Sequence, residues 1–396
     1  MNDLAIAQTR DTPNGVGRRV LLVGDYMWPW YQDACADALE SHGCVVERFG
    51  WLHDFHRWIE GGSEPVYHSL WHRVQYRLRF GPAVSRVNQR LIGIAKQFKP
   101  DIVWFYNVQL ITVATVKKLR KLLPEAVFVQ YANDNPFSEA VKPGLWRNYL
   151  ASIPYFDIHC VFRHSNISHY QNLGSQNIYL LRSYFIPEDD YPEPRSSIPE
   201  RFKCDVVFAG HYEDDGRVEM LEAICKAGFK LNIFGGGWVA ALATLSTNSP
   251  LHDLFPIVPA TGANYRHAIC GAKVALCFLS TLNHDTYTTR SFQIPAMKVA
   301  MLSQHTSDLV SMFVPDVEAV FFSNQNELLT KLQALIVDDQ RRLAIAEAGY
   351  TRVYADGHDV RARMSAWLKS VQQIVFNKSA HNIENKIINL GDKWIS

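Results

Sequence analysis

The 396-residue chain has no long apolar run, no excess of either charge and no dense set of cysteines. No run approaches the roughly 20 apolar residues that a membrane-spanning helix needs, so we do not expect an integral membrane protein. The 40 basic and 39 acidic residues nearly cancel, which gives no global electrostatic reason to expect a nucleic acid partner. The length and apolar content predict a globular protein of two domains.

The seven cysteines are odd in number and scattered, and several lie inside apolar runs such as VALCFL. This pattern indicates reduced, buried thiols rather than a disulfide framework. The first 17 residues lack the apolar core of a signal peptide, and we interpret them as a disordered lead-in. We therefore expect a cytoplasmic protein.

Several motifs that mark enzyme classes are missing. The chain contains no G-x-x-x-x-G-K-[ST] phosphate loop, no G-x-G-x-x-G after the first strand and no G-x-S-x-G elbow. Kinase, dinucleotide oxidoreductase and serine hydrolase activities lose their main support. An Asp-x-Asp pair, which would hold a divalent metal against a sugar diphosphate, is also missing. We expect a site without a metal and without a bound cofactor.

The chain does contain a repeated alternation of short apolar segments with amphipathic ones, which is typical of parallel α/β sheets covered on both faces. The alternation stops in a proline-rich segment, IPEDDYPEPRSSIPERF, and then restarts. We predict two Rossmann-like, doubly wound domains facing a cleft. The predicted parts are the lead-in 1–17, an N-terminal domain 18–185, a linker 186–203, a C-terminal domain 204–376, and a tail 377–396 that packs back on the N-terminal domain.

Two loops of the C-terminal half have the composition of a phosphate site. The first follows the apolar run CDVVFAG and leads into a helix, and a helix N-terminus beside a strand end suits an anion. The second contains three consecutive glycines, which let the backbone approach a ligand closely. An ordinary capped turn and a flexible structural loop explain them about equally well. The candidate residues are Gly210, His211, Arg217, Gly236 and Gly237.

A third segment, LNHDTYTTRSFQIPAM, places hydroxyl, acidic and basic groups in a loop that runs into a helix. The planar donors of an arginine match phosphate oxygens, and a helix start adds backbone donors. Solvated surface charge is the alternative. The candidate donor-binding residues here are Asp285, Thr288, Thr289, Arg290 and Gln293.

From Cys204 to about Arg363, the chain resembles the CgeB-like (spore maturation protein) family of group 1 glycosyltransferases. The similar runs are DVVFAGH, LNIFGGGW, TTRSFQIPAMKVAML and MFVPDVEAVFFSNQNEL. The N-terminal half is similar more loosely, through the first strand and YANDNPF. The resemblance implies the GT-B fold and a nucleotide-sugar as co-substrate, held mainly by the C-terminal domain.

The resemblance also implies roles for three residues. Arg290 corresponds to a position near the donor phosphates, and Asp285 to a position where retaining relatives carry a glutamate that contacts the donor sugar. Gln293 stands where such enzymes usually have a glutamate that binds the nucleotide ribose. A neutral acceptor is weaker than an ionised one by about 1 kcal/mol, which puts nucleotide preference and turnover in question.

In the N-terminal half, strand ends are expected to present acceptor-side residues, because ligands of such sheets bind at the carboxyl ends of the strands. The candidates are Asp25, Tyr26, Asp134, Asn135 and His164. Inverting transfer needs a base, for which Asp134 and His164 are the candidates, whereas retaining transfer needs none. Each of them is also explained as an ordinary polar loop residue.

The segment 51–91 is rich in aromatic, histidine and arginine side chains. A pair of helices packed on the sheet edge explains it, and so does a cationic amphipathic surface at the inner face of a membrane. The function that we expect is sugar transfer to a glycan, lipid-linked or protein acceptor in cell envelope glycan biosynthesis. The alternatives are a nucleotide-sugar epimerase and a catalytically degenerate GT-B protein that binds a glycan or partner.

Overall fold

The structure is a computed structural model that describes residues 15–58, 65–140, 144–372 and 374. Two compact units are formed. The first contains the described residues up to 136, those between 144 and 181, and those from 361 onwards, while the second contains 137–140 and 182–360. The predicted tail 377–396 and most of the predicted lead-in 1–17 lie outside the described residues.

The first unit contains a six-stranded sheet that is parallel throughout, in the order β2-β1-β5-β6-β7-β8, and a short antiparallel pair, β3-β4. Its central strands are apolar on both faces, because helices cover both sides of such a sheet. The strands are β1 (Arg19–Gly24), β2 (Val45–Gly50), β3 (His56–Arg57), β4 (Val66–Tyr67), β5 (Ile102–Tyr106), β6 (Val127–Ala132), β7 (Ile158–Val161) and β8 (Ile178–Leu180).

The helices of this unit begin at recognisable caps where the chain provides them; the hydroxyl of Thr112, for example, accepts from the backbone N–H of Thr115 at the start of α5. They are α1 (Gln32–Ser41), α2 (Leu52–Phe55), α3 (Leu70–Leu78), α4 (Pro82–Phe98), α5 (Val113–Leu122), α6 (Arg147–Ser152) and α7 (Ile167–Asn172). A last helix, 360–372, returns the chain to this unit, where Trp367 stacks on Trp104 with ring centroids 4.6 Å apart.

The second unit is built around a five-stranded parallel sheet in the order β10-β9-β11-β12-β13. Its strands are β9 (Cys204–Ala209), β10 (Leu231–Phe234), β11 (Ala272–Cys277), β12 (Ala300–Gln304) and β13 (Val320–Phe322). Its helices are α8 (Arg217–Lys226), α9 (Ala263–Cys270), α10 (Arg290–Ala296), α11 (Ser307–Met312), α12 (Gln325–Val337) and α13 (Asp339–Ala355). The prediction of two Rossmann-like α/β domains is confirmed.

The boundaries between the units differ from the predicted ones. The proline-rich segment 186–203, predicted as a linker, belongs to the second unit, because polar contacts attach it there. Arg195 donates to the carbonyl of Gly271 at 3.0 Å, and Glu193 pairs with Arg266. The predicted second domain also ends earlier, since the chain from 361 onwards belongs to the first unit.

Two sequence expectations concern the whole chain. All seven cysteines are free thiols, and all but Cys225 are buried. None of the helices in the described residues is both long and apolar enough to cross a membrane.

In segment 51–91, α4 buries Val84, Val87 and Leu91 in the core, whereas α3 leaves much of its apolar side exposed.

Candidate functional site

In each of the two parallel sheets, the strand order reverses at one place. Ligands of doubly wound sheets bind at the carboxyl ends of the strands at such a reversal. In the second unit the reversal lies between β9 and β11. Gly210 and His211 follow β9, and the residues from Phe278 to Ser280 follow β11. The topology therefore brings two of the sequence-predicted residues to the place where a ligand is expected.

A close backbone approach shapes this end of the sheet. The Gly210 N–H donates to the Phe234 carbonyl at 2.8 Å, and the Trp238 indole N–H donates to the Gly210 carbonyl at 3.0 Å. A Cβ on Gly235, whose φ is +158°, would lie 1.9 Å from that carbonyl oxygen. The first glycine of the run FGGGW is therefore required for packing, and it is a residue that the sequence analysis did not single out.

The other two glycines of the run have structural roles. The Gly236 carbonyl accepts from the Tyr212 N–H at 3.0 Å, and Gly237, with φ +78°, precedes the 3₁₀ helix Trp238–Ala243. The structure corrects one part of the predicted phosphate site. Gly210 is a candidate residue of the phosphate site, but its N–H is already bonded to the Phe234 carbonyl, so it offers no free backbone donor to a phosphate.

Arg290, the first residue of α10, lies at the same switch point. Its Nη2 donates to the Phe278 carbonyl at 2.9 Å, and its guanidinium carbon lies 5.6 Å from the centre of the Phe208 ring. Gly210 leaves room beside it, because a Cβ there would lie 3.1 Å from the Arg290 Nη1. The Arg290 Nε is buried and has no hydrogen-bond acceptor among the described residues. A buried charged donor of this kind needs an acceptor, and an anion would supply one.

Arg217 is placed differently from the prediction. Its side chain is only 2% exposed, and its Nε and Nη2 bind the two oxygens of Asp215 at 2.6 and 2.5 Å. Its Nη1 donates to the His211 carbonyl at 2.6 Å. Every guanidinium nitrogen thus has a partner within the loop, so Arg217 holds the loop in shape and is not available to bind phosphate.

Glu213 connects the loop after β9 to the loop after β11. Its carboxylate accepts from the Ser280 hydroxyl at 2.7 Å and lies 2.6 Å from the Nε2 of His211. Burial raises the pKa of this carboxyl, but the hydrogen bonds from His211 and Ser280 and the charge of Arg217 outweigh burial and hold the pKa below its ordinary value. Glu213 therefore positions the exposed ring of His211 beside the end of β9.

Gln293 is part of a polar cluster with two residues that the sequence analysis did not single out. Its Nε2 donates to both carboxylate oxygens of Asp190, at 3.1 and 3.2 Å, and its Oε1 accepts from the Tyr265 hydroxyl at 3.0 Å. A carboxylate thus lies directly beside the neutral amide. Burial is the main cause that raises the pKa of Asp190 from 3.8 to about 6.

A pH dependence of stability follows from Asp190. Because its folded-state pKa is raised, its contribution to stability is present at low pH and is lost as the pH rises through about 6. From about pH 4 to about pH 7, we expect the unfolding free energy of the wild type to fall by roughly 2 to 3 kcal/mol relative to Asp190→Asn. Urea unfolding at several pH values measures this, with the exposed neighbour substitution Asp189→Asn as control. Equal pH profiles for wild type and Asp190→Asn would contradict the assignment.

The remaining donor-side candidates lie between β11 and α10. The Asp285 N–H donates to the Ser280 carbonyl at 2.9 Å, and the Thr288 N–H donates to the Ser291 hydroxyl at 3.1 Å. The hydroxyl of Thr289 is 2.8 Å from that of Ser183. These contacts order the loop that leads into Arg290.

In the first unit, the reversal lies between β1 and β5, and Asp25 and Tyr26 follow β1 directly. Burial raises the pKa of the Asp25 carboxyl above its ordinary value, although the Met27 N–H donates to it at 3.1 Å. Tyr26 has a left-handed backbone, with φ +57°, and its hydroxyl donates to the Leu22 carbonyl at 3.1 Å. Of the five acceptor-side candidates, Asp25 is thus the acidic residue that lies at the strand reversal.

The other acceptor-side candidates follow strands farther along the same edge. Exposed Asp134 and buried Asn135 follow β6, and exposed His164 follows β7. Adjacent strands lie about 4.8 Å apart, so these residues are two and three strands from β1, at roughly 10 and 14 Å. The structure does not gather them with Asp25 at the strand reversal.

An aromatic cluster follows Asp25. The rings of Trp28 and Trp30 are stacked, with centroids 5.0 Å apart, and Trp58 meets Trp28 edge-on at 5.9 Å. The sequence analysis did not single out these residues, although their closeness to the end of β1 was visible in it. Elsewhere in this unit, a cavity of about 490 Å³ is lined by residues from Arg79 to Thr115, and it contains none of the predicted site residues.

Comparison with known proteins supports the architecture. Anabaena Alr3699/HepE, solved with UDP and glucose, is 13% identical, with 92% of this chain and 100% of that chain covered and a TM-score of 0.61. Sucrose-phosphate synthase of Thermosynechococcus elongatus is 11% identical over 91% and 100% of the two chains, with a TM-score of 0.62. The fold is GT-B. Trehalose 6-phosphate synthase of Burkholderia multivorans has the same GT-B architecture, at 11% identity, 92% and 100% coverage and a TM-score of 0.60.

A family comparison adds to the GT-B assignment. Residues 217–369 match the family described as glycosyl transferase-like, a range that includes most of the second unit of the GT-B chain. With the fold, this match supports a group 1 glycosyltransferase. No curated protein sequence is significantly similar to the chain. In the described residues, no group of three or more histidine, cysteine, aspartate or glutamate side chains is arranged to hold a metal ion.

Proposed function

We propose that the protein is a CgeB-like group 1 glycosyltransferase that moves a sugar from a nucleotide-sugar to an acceptor in the cytoplasm. The position of Arg290 carries the proposal. Its guanidinium lies at the reversal between β9 and β11, and its buried Nε has no acceptor among the described residues. Arginine presents a fixed planar set of donors that fits a diphosphate, so a nucleoside diphosphate is the anion that we assign there.

In the proposed reaction, the acceptor hydroxyl oxygen forms a bond to the anomeric carbon of the sugar, the bond between that carbon and the diphosphate breaks, and the nucleoside diphosphate leaves. The hydroxyl proton passes to a base in inverting transfer, or to the departing diphosphate in retaining transfer. Arg290 stabilises the charge that develops on the leaving group, and His211, whose ring is held by Glu213, is proposed as a second contact to the diphosphate. We propose that no metal is needed, because the guanidinium supplies the positive charge. Asp285, Thr288 and Thr289 keep the loop before α10 in place.

The acceptor side is proposed at the reversal between β1 and β5. The stacked indoles of Trp28 and Trp30 offer flat apolar faces, and Asp25 offers a carboxyl group with a raised pKa. A raised pKa makes a carboxylate a stronger base toward an acceptor hydroxyl. Asp134 and His164 are the alternative bases. The acceptor proposed is a glycan, a lipid-linked sugar or a protein.

The first experiment measures the thermal stabilisation of the purified protein by UDP, GDP, dTDP, CMP and their sugars. A ligand that binds the folded state alone raises the melting temperature. We start with UDP-glucose, because the Anabaena protein of the same fold was solved with it. We expect one nucleotide to stabilise the protein, and its sugar to be transferred in the presence of EDTA.

Product analysis separates the alternatives. A changed nucleotide-sugar formed from the donor alone would identify an epimerase. Stabilisation without turnover across a broad acceptor panel would identify a degenerate binding protein. Absence of stabilisation by every nucleotide would overturn the donor site itself.

A further inference from the structure

Helix α3 presents its apolar side to solvent. Leu70 is 74% exposed, Trp71 60% and Leu78 61%, and Phe80, just beyond the helix, is 76% exposed. These side chains, together with α3, are called the α3 surface below. A surface helix of a globular protein normally turns its apolar stripe toward the core. A group of large apolar side chains left outside marks a surface that binds something.

The opposite side of α3 explains this orientation. The Tyr76 ring packs edge-on against Phe55 and His56, with centroids 5.3 and 5.2 Å apart. The Gln75 side chain is 3% exposed, and its Oε1 accepts from the Ala83 N–H at 2.8 Å. The aromatic and amide side of the helix is thus anchored to the unit, so the leucines and Trp71 cannot turn inward without breaking these contacts.

The segment that contains the α3 surface carries charge of one sign. Between residues 65 and 100 there is no aspartate or glutamate; the nearest acidic residues in the sequence are Glu64 and Asp101. Arg90 is paired with Asp54, at 2.6 Å. The basic residues of this segment are Arg73, Arg77, Arg79, Arg86, Arg90, Lys96 and Lys99.

Three of these basic side chains are free to meet an anionic partner. Arg73, Arg77 and Arg86 are exposed and have no ion-pair partner among the described residues. Arg73 and Arg77 lie on α3 itself, one turn apart, and follow Leu70 at helical spacing. Exposed leucine and tryptophan beside arginine, without acidic residues, is the composition of a helix that lies in a lipid interface.

We propose that the α3 surface binds an anionic lipid bilayer, with α3 lying in the plane of the interface. Leu70, Trp71, Leu78 and Phe80 enter the boundary between headgroups and acyl chains, where tryptophan is favoured. The arginines of α3 bind lipid phosphates, and each basic residue near an anionic membrane adds attraction. A second copy of the chain fits less well, since a two-fold interface would bring the Arg73 and Arg77 side chains of both copies together.

The test is sedimentation of the purified full-length chain with lipid vesicles. We expect binding to vesicles of phosphatidylcholine with about 30 mol % phosphatidylglycerol, weak binding to phosphatidylcholine alone, and loss of binding at about 0.5 M salt. Leu70→Ser/Trp71→Ser and Arg73→Gln/Arg77→Gln are each expected to weaken binding by about tenfold or more. Because the four side chains are outside the core, both variants are expected to keep the wild-type urea midpoint.

Matched substitutions serve as controls. Val337→Ser/Leu343→Ser removes two side chains that are 72% and 62% exposed in the second unit, and Lys118→Gln/Lys121→Gln removes two exposed charges from α5. Both are expected to bind vesicles like the wild type. Equal losses in the controls, or no preference for anionic vesicles, would overturn the proposal. A wild-type dimer that Leu70→Ser/Trp71→Ser converts to a monomer, without vesicle binding, would overturn it in favour of self-association.

Discussion

Substitution of Arg290 by alanine is expected to lower kcat/KM for sugar transfer by about 10²- to 10³-fold and to abolish stabilisation by the nucleotide. Its guanidinium is the charged group at the reversal between β9 and β11 whose Nε lacks a protein acceptor among the described residues. Removal of a preorganised donor leaves the departing diphosphate without compensation for its charge. The measurements are steady-state kinetics with the donor identified by thermal stabilisation, and a melting curve with the same nucleotide.

Arg290 also has a structural contact, because its Nη2 donates to the Phe278 carbonyl. A matched control is Arg352→Ala, since Arg352 donates from Nε to the Met312 carbonyl at 2.9 Å in the same unit but lies on α13. Loss of stability without loss of nucleotide binding is expected for Arg352→Ala. Arg290→Lys keeps the charge but loses the planar donors, and we expect it to recover only part of the activity. Full activity of Arg290→Ala would remove Arg290 from the donor site.

The fold was predictable because its signal is local. Strands such as β5 and β6 are apolar on both faces, and a short apolar run between polar, helix-forming segments is visible in the sequence. The domain boundaries were less predictable. Proline and charge clustered between 186 and 203 resemble a linker, yet Glu193 and Arg195 attach this segment to the second unit through residues about 70 positions away.

The candidate site was predictable only in part, because some of its residues come together through contacts between distant parts of the chain. Arg290 could be recognised because a loop rich in hydroxyls leads into a helix directly at it. Asp190 was hidden in the proline-rich segment, and its partner Gln293 is 103 positions later. Glu213 and Ser280 meet across 67 positions. Strand order brings Glu213 and Ser280 together, because β9 and β11 are neighbours, and strand order is not contained in any local pattern.

Arg217 illustrates how a correct motif can suggest the wrong role. An arginine at the start of a helix after a β-strand is typical of a phosphate contact, and this pattern made Arg217 a candidate donor-binding residue. In the structure, Asp215 and Glu213 are the partners of Arg217, with side-chain exposures of 4% and 5%. The acidic loop and the arginine thus form one buried ionic cluster.

The cluster predicts a large effect on stability. Arg217→Met is expected to lower the unfolding free energy by about 3 to 5 kcal/mol, because it leaves the carboxylates of Asp215 and Glu213 buried without their cation. Urea unfolding measures the loss. Hydrogen exchange of residues 210–217 is expected to increase, since the bond from Arg217 to the His211 carbonyl is lost as well.

An exposed ion pair of the same helix provides the control for this substitution. Lys226 lies 3.0 Å from Glu222 and its side chain is 61% exposed, so Lys226→Met is expected to change stability by no more than about 0.5 kcal/mol. The double variant Arg217→Met/Asp215→Leu removes a buried charge of each sign and is expected to recover part of the loss, because an unpaired buried charge costs more than a missing pair. If Arg217→Met and Lys226→Met destabilised the protein equally, the buried cluster would not hold this loop, and Arg217 would again be available as a ligand for phosphate.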